Sequence, residues 1–474
     1  MSAKDDKESS RPPPSISDDI SPTQFHAGEE SLKGKDDQGL EVFKETQSGV
    51  NFRVLSWPWA AVIFLKLTFA TGVMTIPAAM YTLGAAPGAL VVVGWGLINT
   101  YAGVVQGNFR DRHPMCHSVA DMAHVVGGPV LREMAGACFI ISWIICAASG
   151  INGASTALNA LSDHATCTNW FSLAVTVAVM ILASFRRFEE LGWISWVGFM
   201  SVFVAVFVVV VGVTLRDRPA AAPQMGDYEL GYHIIASPSF IQGIGAAATI
   251  FSASAGTSAF LPVISEMRRP QEYKKSLFVC MFIVTASYLS FSLVVYKWCG
   301  QWVASPSLGS AGPTLKKVAY GIGLFGIIVT GCLYVHVSAK YVFVRILRNS
   351  VHLQSNTFVH WFTWLGLTIG LSAVAFIIAA AIPIFNYLLG LAGSLGFAPI
   401  ALILPPWLWL FDHGEWRTAS IVKVLVYYMH CFWILIGVFM TIGGTYGIIQ
   451  SVIGDYRSGT IGSAFDCADN SGSM

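Results

Sequence analysis

The stretch Ala70-Thr71-Gly72-Val73-Met74-Thr75-Ile76-Pro77 interrupts the first long apolar segment of this chain. Glycine weakens a helix and proline removes a backbone donor, so a helix crossing lipid stops here more readily than it continues. Hydrocarbon offers no partner to freed backbone groups, so the interruption must be buried in protein or face a wet cavity. A second interruption, Ser252-Ala253-Ser254-Ala255-Gly256-Thr257-Ser258 followed by Pro262, falls in the sixth apolar segment. Paired breaks at corresponding places of two halves point to a ligand site at mid-membrane depth.

Composition supports the lipid setting. Of 474 residues, 54% are hydrophobic and 12% charged, and mean hydropathy is +0.60, whereas a soluble domain carries about a quarter charged residues. With a window of about 20 apolar residues, eleven segments emerge, at 57–82, 86–109, 131–160, 169–185, 191–215, 240–265, 276–298, 316–345, 360–382, 384–410 and 421–449. The expectation is an all-α integral membrane protein. Its transmembrane domain would cover 54–450, with one repeat over 57–215, a second over 240–410 of opposite orientation, and an extra helix at 421–449. Residues 1–53 would form a disordered cytosolic tail and 451–474 a short flexible one.

Charge sets the orientation. With the N-terminus inside, the cytoplasmic flanks hold 21 Lys and Arg and the outer flanks 6, the remaining one being Lys66 inside the first segment. Basic residues are retained on the cytoplasmic side, so the C-terminus is expected outside, in a multi-pass protein of the plasma membrane more than of the vacuole. The first 50 residues hold 11 acidic and 6 basic side chains without a signal-type apolar core. They read as a solvated tail whose lysines are open to regulatory modification such as ubiquitin attachment.

Nothing in the pattern suggests a nucleic-acid partner, and neither cysteine nor histidine spacing matches a metal site. Catalytic signatures such as a GxSxG elbow, a phosphate loop or paired intramembrane carboxylates are also missing, which disfavours an enzyme. Cys167 and Cys299 both fall on the expected outer face and are candidates for a disulfide.

The run Lys66-Leu67-Thr68-Phe69-Ala70-Thr71-Gly72-Val73-Met74-Thr75-Ile76-Pro77-Ala78-Ala79 resembles the first-helix signature of the amino acid/auxin permease family, roughly GxGxLxxPxA. Phe260-Leu261-Pro262-Val263-Ile264-Ser265-Glu266-Met267-Arg268-Arg269-Pro270 is similar to that family's second signature. The likeness spans about 50–450 and is nearest to fungal neutral amino acid permeases of the N amino acid transport system type. Ala70 replaces the first family glycine, so only Gly72 remains at the tightest approach. The resemblance implies a leucine-transporter-like fold of five plus five inverted helices in the APC superfamily, with helices 1 and 6 broken. It also implies secondary active transport of amino acids, often by proton symport.

An amino acid is a zwitterion, so a pocket of low dielectric must satisfy both ends. The amides of Gly72, Val73 and Met74 with the Thr71 hydroxyl are placed to hold the carboxylate at a half-helix N-terminus. Carbonyls near Phe69, Ala70 and Ser252, with Ser254 and Thr257, are placed to hold the ammonium. Phe251, Phe260, Met74 and the small residues Ala253 and Ala255 would shape an apolar pocket for neutral side chains, beside Gly256 at the break and completed by Asn152 and Ser149. Each of these hydroxyls has the alternative of bonding within its own helix.

Charged groups inside a membrane are functional by default. Lys66, six residues before Gly72, would sit about 9 Å from it along the helix. It snorkels towards the cytosol, takes the place of a bound sodium, or pairs with Glu266 when an inner gate closes. His336 has the chemistry for proton coupling, and Ser338 with helix 1 carbonyls could line a sodium site that Lys66 would oppose. The coupling ion is thus expected to be a proton, with sodium second and no further cofactor. The leading reading is an importer of aliphatic and aromatic L-amino acids. A vacuolar exporter and a non-transporting amino acid sensor are the alternatives.

Overall fold

The computed structural model describes residues 52–459 and 464–471. For Ala70 and Thr71 it describes the backbone alone, so the roles expected of their side chains lie outside the described residues, as does the tail before Phe52.

Among the described residues the chain forms helices and no strand, with nine helices long and apolar enough to span a bilayer and two shorter apolar ones, at Trp57–Phe69 and Thr168–Ala183. These fall in the eleven expected segments. The first segment is split into α1 (Trp57–Gly72) and α2 (Ile76–Leu83). Gly84, at φ 91°, turns the chain directly into α3 (Ala85–Arg112). Only glycine takes that backbone angle without strain.

The helix α4 (Val119–Ser162) begins earlier than expected. A capping box closes its start, Ser118 accepting from Asp121 N while the Asp121 carboxylate accepts from Ser118 N. Gly127 and Gly128 then break the helical angles just before Pro129, so a short helix precedes the spanning part. Next come α5 (Thr168–Ala183) and α6 (Phe188–Thr214).

The second half opens with α7 (Phe240–Ser254), itself started by a capping box between Ser239 and Gln242. A tight turn over Gly256–Ala259 leads into α8 (Phe260–Ser265). The interrupted segments are therefore the first and the sixth. After α9 (Tyr273–Cys299) and α10 (Pro313–Leu347) follow α11 (Phe358–Ala381) and α12 (Phe385–Leu391). The last widens at Ala392–Ile403, where Pro399 cannot donate, before α13 (Leu404–Asp412).

The last segment runs through α14 (Ile421–Phe439), a wide turn at Met440–Gly444 and α15 (Thr445–Ser458). It thus continues past 449 into the expected flexible tail. Tyr387 donates to Asp455 Oδ2 at 2.5 Å, which fixes this end on α12. Ile421, Val422, Leu425 and Phe432 of α14 are all exposed, as a lipid-facing helix requires.

The interior is formed where α10 packs along α4 and α6 and where α1 packs between α6 and α9. Small residues set these distances. A methyl group on Gly326 of α10 would stand 2.5 Å from the Gly198 carbonyl of α6, so the two backbones touch.

Candidate substrate site

The first break is shorter and later than its sequence suggests. Helix α1 continues through Gly72, and the turn is Val73-Met74-Thr75. Thr75 bends back on it, donating to the Gly72 carbonyl from N at 3.1 Å and from Oγ1 at 2.9 Å. Val73 N donates to Phe69 O at 3.4 Å. This corrects the expected carboxylate cradle, because Gly72 closes a helix and the Val73 amide is engaged. Met74 faces the loop before α10, its carbonyl accepting from Ser307 N at 3.0 Å.

At the second break Ala255 N donates to Ser252 O at 3.3 Å. The two breaks are joined by a residue that sequence reasoning missed. Tyr288 of α9 places its hydroxyl 2.6 Å from Thr68 O and 3.0 Å from Ala253 O, one carbonyl from each broken helix. A methyl group on Gly72 would stand 2.4 Å from that hydroxyl and 2.6 Å from Ala253 Cβ. Gly256 approaches in the same way, its added methyl falling 2.7 Å from Thr68 Oγ1. Glycine is needed at both places because the helices meet there.

Aromatic rings close the surroundings. Phe69 stacks on Tyr288 with centroids 5.8 Å apart and meets Phe199 edge-on at 5.4 Å. Phe251 meets Trp95 edge-on at 5.0 Å, whereas Phe260 stacks on Phe64 at 3.8 Å as packing between helices.

The hydroxyls divide into two kinds. Ser254 Oγ donates to Phe251 O within its own helix and accepts from Asn99 Nδ2 at 3.0 Å. Ser252, Thr257 and Ser258 are buried at 7%, 0% and 0% exposure, and their hydroxyls have no hydrogen-bond partner among the described residues. Leaving three such groups unmade is costly, at about 1–3 kcal/mol each. Buried hydroxyls without partners at a helix break have the chemistry to take a polar ligand.

Other predicted residues lie elsewhere. Asn152 is on α4 and donates to Ile382 O at 3.0 Å, at the link between α11 and α12. Ser338 donates to Tyr334 O within α10, which spends its hydroxyl proton locally.

Lys66 does not reach Glu266. Its ammonium donates to Gly198 O of α6 at 3.0 Å and to Gly326 O of α10 at 2.7 Å, with the side chain 1% exposed. Both acceptors are uncharged, and both belong to the glycines that let α6 and α10 touch. The partner of Glu266 is instead Lys340 of α10, at 2.6 Å. Glu266 Oε2 also accepts from Phe188 N at 3.1 Å, and Lys340 donates to Arg186 O at 2.7 Å. Phe52, itself buried, lies under the Lys340 ammonium at 4.2 Å. Leu55 N donates to Glu266 O while Arg268 N donates to Leu55 O, so the chain before α1 bolts onto the end of α8. Lys66 is diverted because carbonyls of touching helices lie within its reach, and Lys340 points to the end where Glu266 sits.

His336 lies one turn before Lys340, buried between the rings of Phe188 and Trp364 at 4.7 and 5.1 Å. The structure therefore places it at this closed end, away from the helix breaks.

The expected cysteine pair is also corrected. Cys167 is bonded to Cys467, 300 residues away, and Cys299 is a buried free thiol. Sequence cannot show which distant loops meet.

Over residues 53–450 the chain matches the family described as transmembrane amino acid transporter protein. The chain belongs to that family. This transporter is 48% identical to a "Transmembrane transporter" of Gibberella moniliformis over 94% of both chains. It is 28% identical to the "N amino acid transport system protein" of Neurospora crassa, again over 94% of both. "Amino acid transporter AVT1C" of Arabidopsis thaliana matches 84% of the transporter and 70% of its own length at 22% identity. It is accordingly a multi-pass membrane transporter and not an enzyme, with an amino acid substrate.

Proposed function

We propose that this transporter imports neutral L-amino acids across the plasma membrane by proton symport, through alternating access of five plus five inverted helices, with the N-terminus cytosolic. The observation that carries this reading is the Lys66 ammonium held between Gly198 O and Gly326 O. A tethered cation fills the junction of α1, α6 and α10, and it differs from a metal ion in one respect. It can lose a proton.

Protonated Lys66 makes two charge-assisted bonds that hold α1 against α6 and α10. Loss of the proton weakens both and frees α1 to move. A proton taken from an acidic exterior and released to the cytosol would then accompany each cycle. Sodium is disfavoured, because a second cation beside Lys66 would be repelled and Ser338 is committed to its own helix.

The orphan hydroxyls of Ser252, Thr257 and Ser258 would meet the zwitterion's polar ends, with Tyr288 yielding Thr68 O and Ala253 O to the ammonium. Phe69 and Phe251 supply apolar walls. The name of the Neurospora relative agrees with an amino acid cargo. The ion pair of Glu266 and Lys340, with Phe52 and Leu55 across it, acts as the inner gate.

The test is uptake of labelled leucine and phenylalanine at outside pH 5 and pH 7.5, with and without a protonophore. Uptake that rises in acid and collapses with the protonophore supports symport. Surface expression without uptake of any neutral amino acid would sink the import reading.

A further inference from the structure

The end of the chain beyond the last helix is fastened over the molecule by more than its disulfide. Thr168 Oγ1 donates to Ala468 O at 2.7 Å, and Asn169 Nδ2 to Phe465 O at 2.8 Å. Asn159 Nδ2 donates to Asn470 Oδ1 at 2.8 Å, and Phe465 N to Ala380 O at 2.8 Å. Lys316 donates to Ser471 O at 2.7 Å. The strap thus ties α4, α5, α10 and α11 together, with Cys167–Cys467 as its one covalent link.

Beneath it lies a cavity of about 440 Å³. Asp466, Ala468 and Asn470 of the strap form one wall, and Thr156, Asn152 and Pro306 lie among the others. Pro306 immediately precedes Ser307, whose amide donates to the Met74 carbonyl in the helix 1 break. This cavity, here called the shaft, is thus lined both by the strap and by the residue next to the segment that touches the break. Asn152 holds the link to α12 from inside it.

We propose that residues 464–471 are a disulfide-latched lid over this shaft, and that reduction of Cys167–Cys467 from outside the cell unlatches it. This rests on the orientation given under the proposed function, with the C-terminus outside. The chemistry is balanced with a trialkylphosphine as reductant. The S–S bond breaks, water supplies a proton to each sulfur, and phosphorus takes the oxygen as phosphine oxide. Once the link is cut, only non-covalent contacts hold the strap, and it opens locally.

The experiment uses the full chain in intact cells, treated with a membrane-impermeant phosphine and then an impermeant maleimide. Labelling is read by mass spectrometry at Cys167, at Cys467 and at position 156 in the variant Thr156→Cys. Thr156 is 4% exposed and lines the shaft. The expected result is that reduction speeds labelling at position 156 at least about fivefold, the lower end of ordinary coupling between sites. Adding Cys467→Ser should give the fast rate without reductant and abolish the response. Labelling of Cys167 and Cys467 from outside with an unchanged rate at position 156 overturns the lid while leaving the orientation standing. If the two cysteines label only after permeabilisation, the orientation fails and the outer lid with it. The Thr156→Cys protein is compared with itself before and after reductant, so its expression level cancels from the ratio of rates.

Discussion

Lys340 Nζ lies 2.6 Å from Glu266 Oε1, and neither side chain is more than 1% exposed. The pair joins α10 to the end of α8 where Phe52 and Leu55 cover it, so one contact fastens three parts of the chain. Removing one member strands a buried charge, whereas removing both leaves a site that apolar groups can fill.

Lys340→Leu or Glu266→Leu alone should therefore destabilise the protein by about 3–5 kcal/mol, and the double variant should recover most of it. Thermal unfolding of detergent-purified protein, followed by size-exclusion chromatography, checks this. Equal losses in all three variants would mean the pair contributes nothing as a pair.

Lys66→Gln keeps a donor and removes the titratable charge. Leucine uptake by this variant should lose its rise between outside pH 7.5 and pH 5 and its sensitivity to a protonophore. Exchange of internal for external leucine should persist. A Lys66→Gln protein whose uptake still climbs in acid would move the coupling role elsewhere.

His336 is the residue to which it would move. From its position between Phe188 and Trp364, away from the helix breaks, His336→Gln should lower stability while keeping the pH response of uptake. The ratio of uptake at the two pH values separates these effects from expression level.

Gly72→Ala forces a methyl group to within 2.4 Å of the Tyr288 hydroxyl and 2.6 Å of Ala253 Cβ. Overpacking of this kind costs about 1–3 kcal/mol, and it falls where two moving helices meet. Uptake should drop strongly in Gly72→Ala, and Tyr288→Phe together with Gly72→Ala should restore part of it. Ala253→Gly with Gly72→Ala tests the other side of the same contact.

Much of the architecture was legible before any coordinates. Apolar length and charge placement mark the segments, because the bilayer penalises every alternative. That breaks fall close to Gly72 and Gly256 was also legible, since glycine and proline weaken a helix where they cluster, though the first turn lies at Val73-Met74-Thr75. Partnerships were not. Lys340 reads from sequence as one more basic residue towards the end of the eighth segment, and only the packing of α10 against α8 brings it to Glu266. Tyr288 looks like one more aromatic in an apolar helix, and nothing local says that two carbonyls from different helices converge on it. The expected pairing of Cys167 with Cys299 failed similarly, because proximity in the fold has no trace in spacing.

The bond between Cys167 and Cys467 closes a covalent ring that contains every helix from α5 to α15. A cut in the long loop between α6 and α7 would therefore release no fragment, and nicked protein would keep its full mass until reduced. The ring also cannot close until its last member, Cys467, has been synthesised and brought to Cys167. A free thiol at Cys167 on a newly made chain then marks a molecule whose final helix has not yet been inserted, a difference that quality-control machinery sensitive to exposed thiols could read.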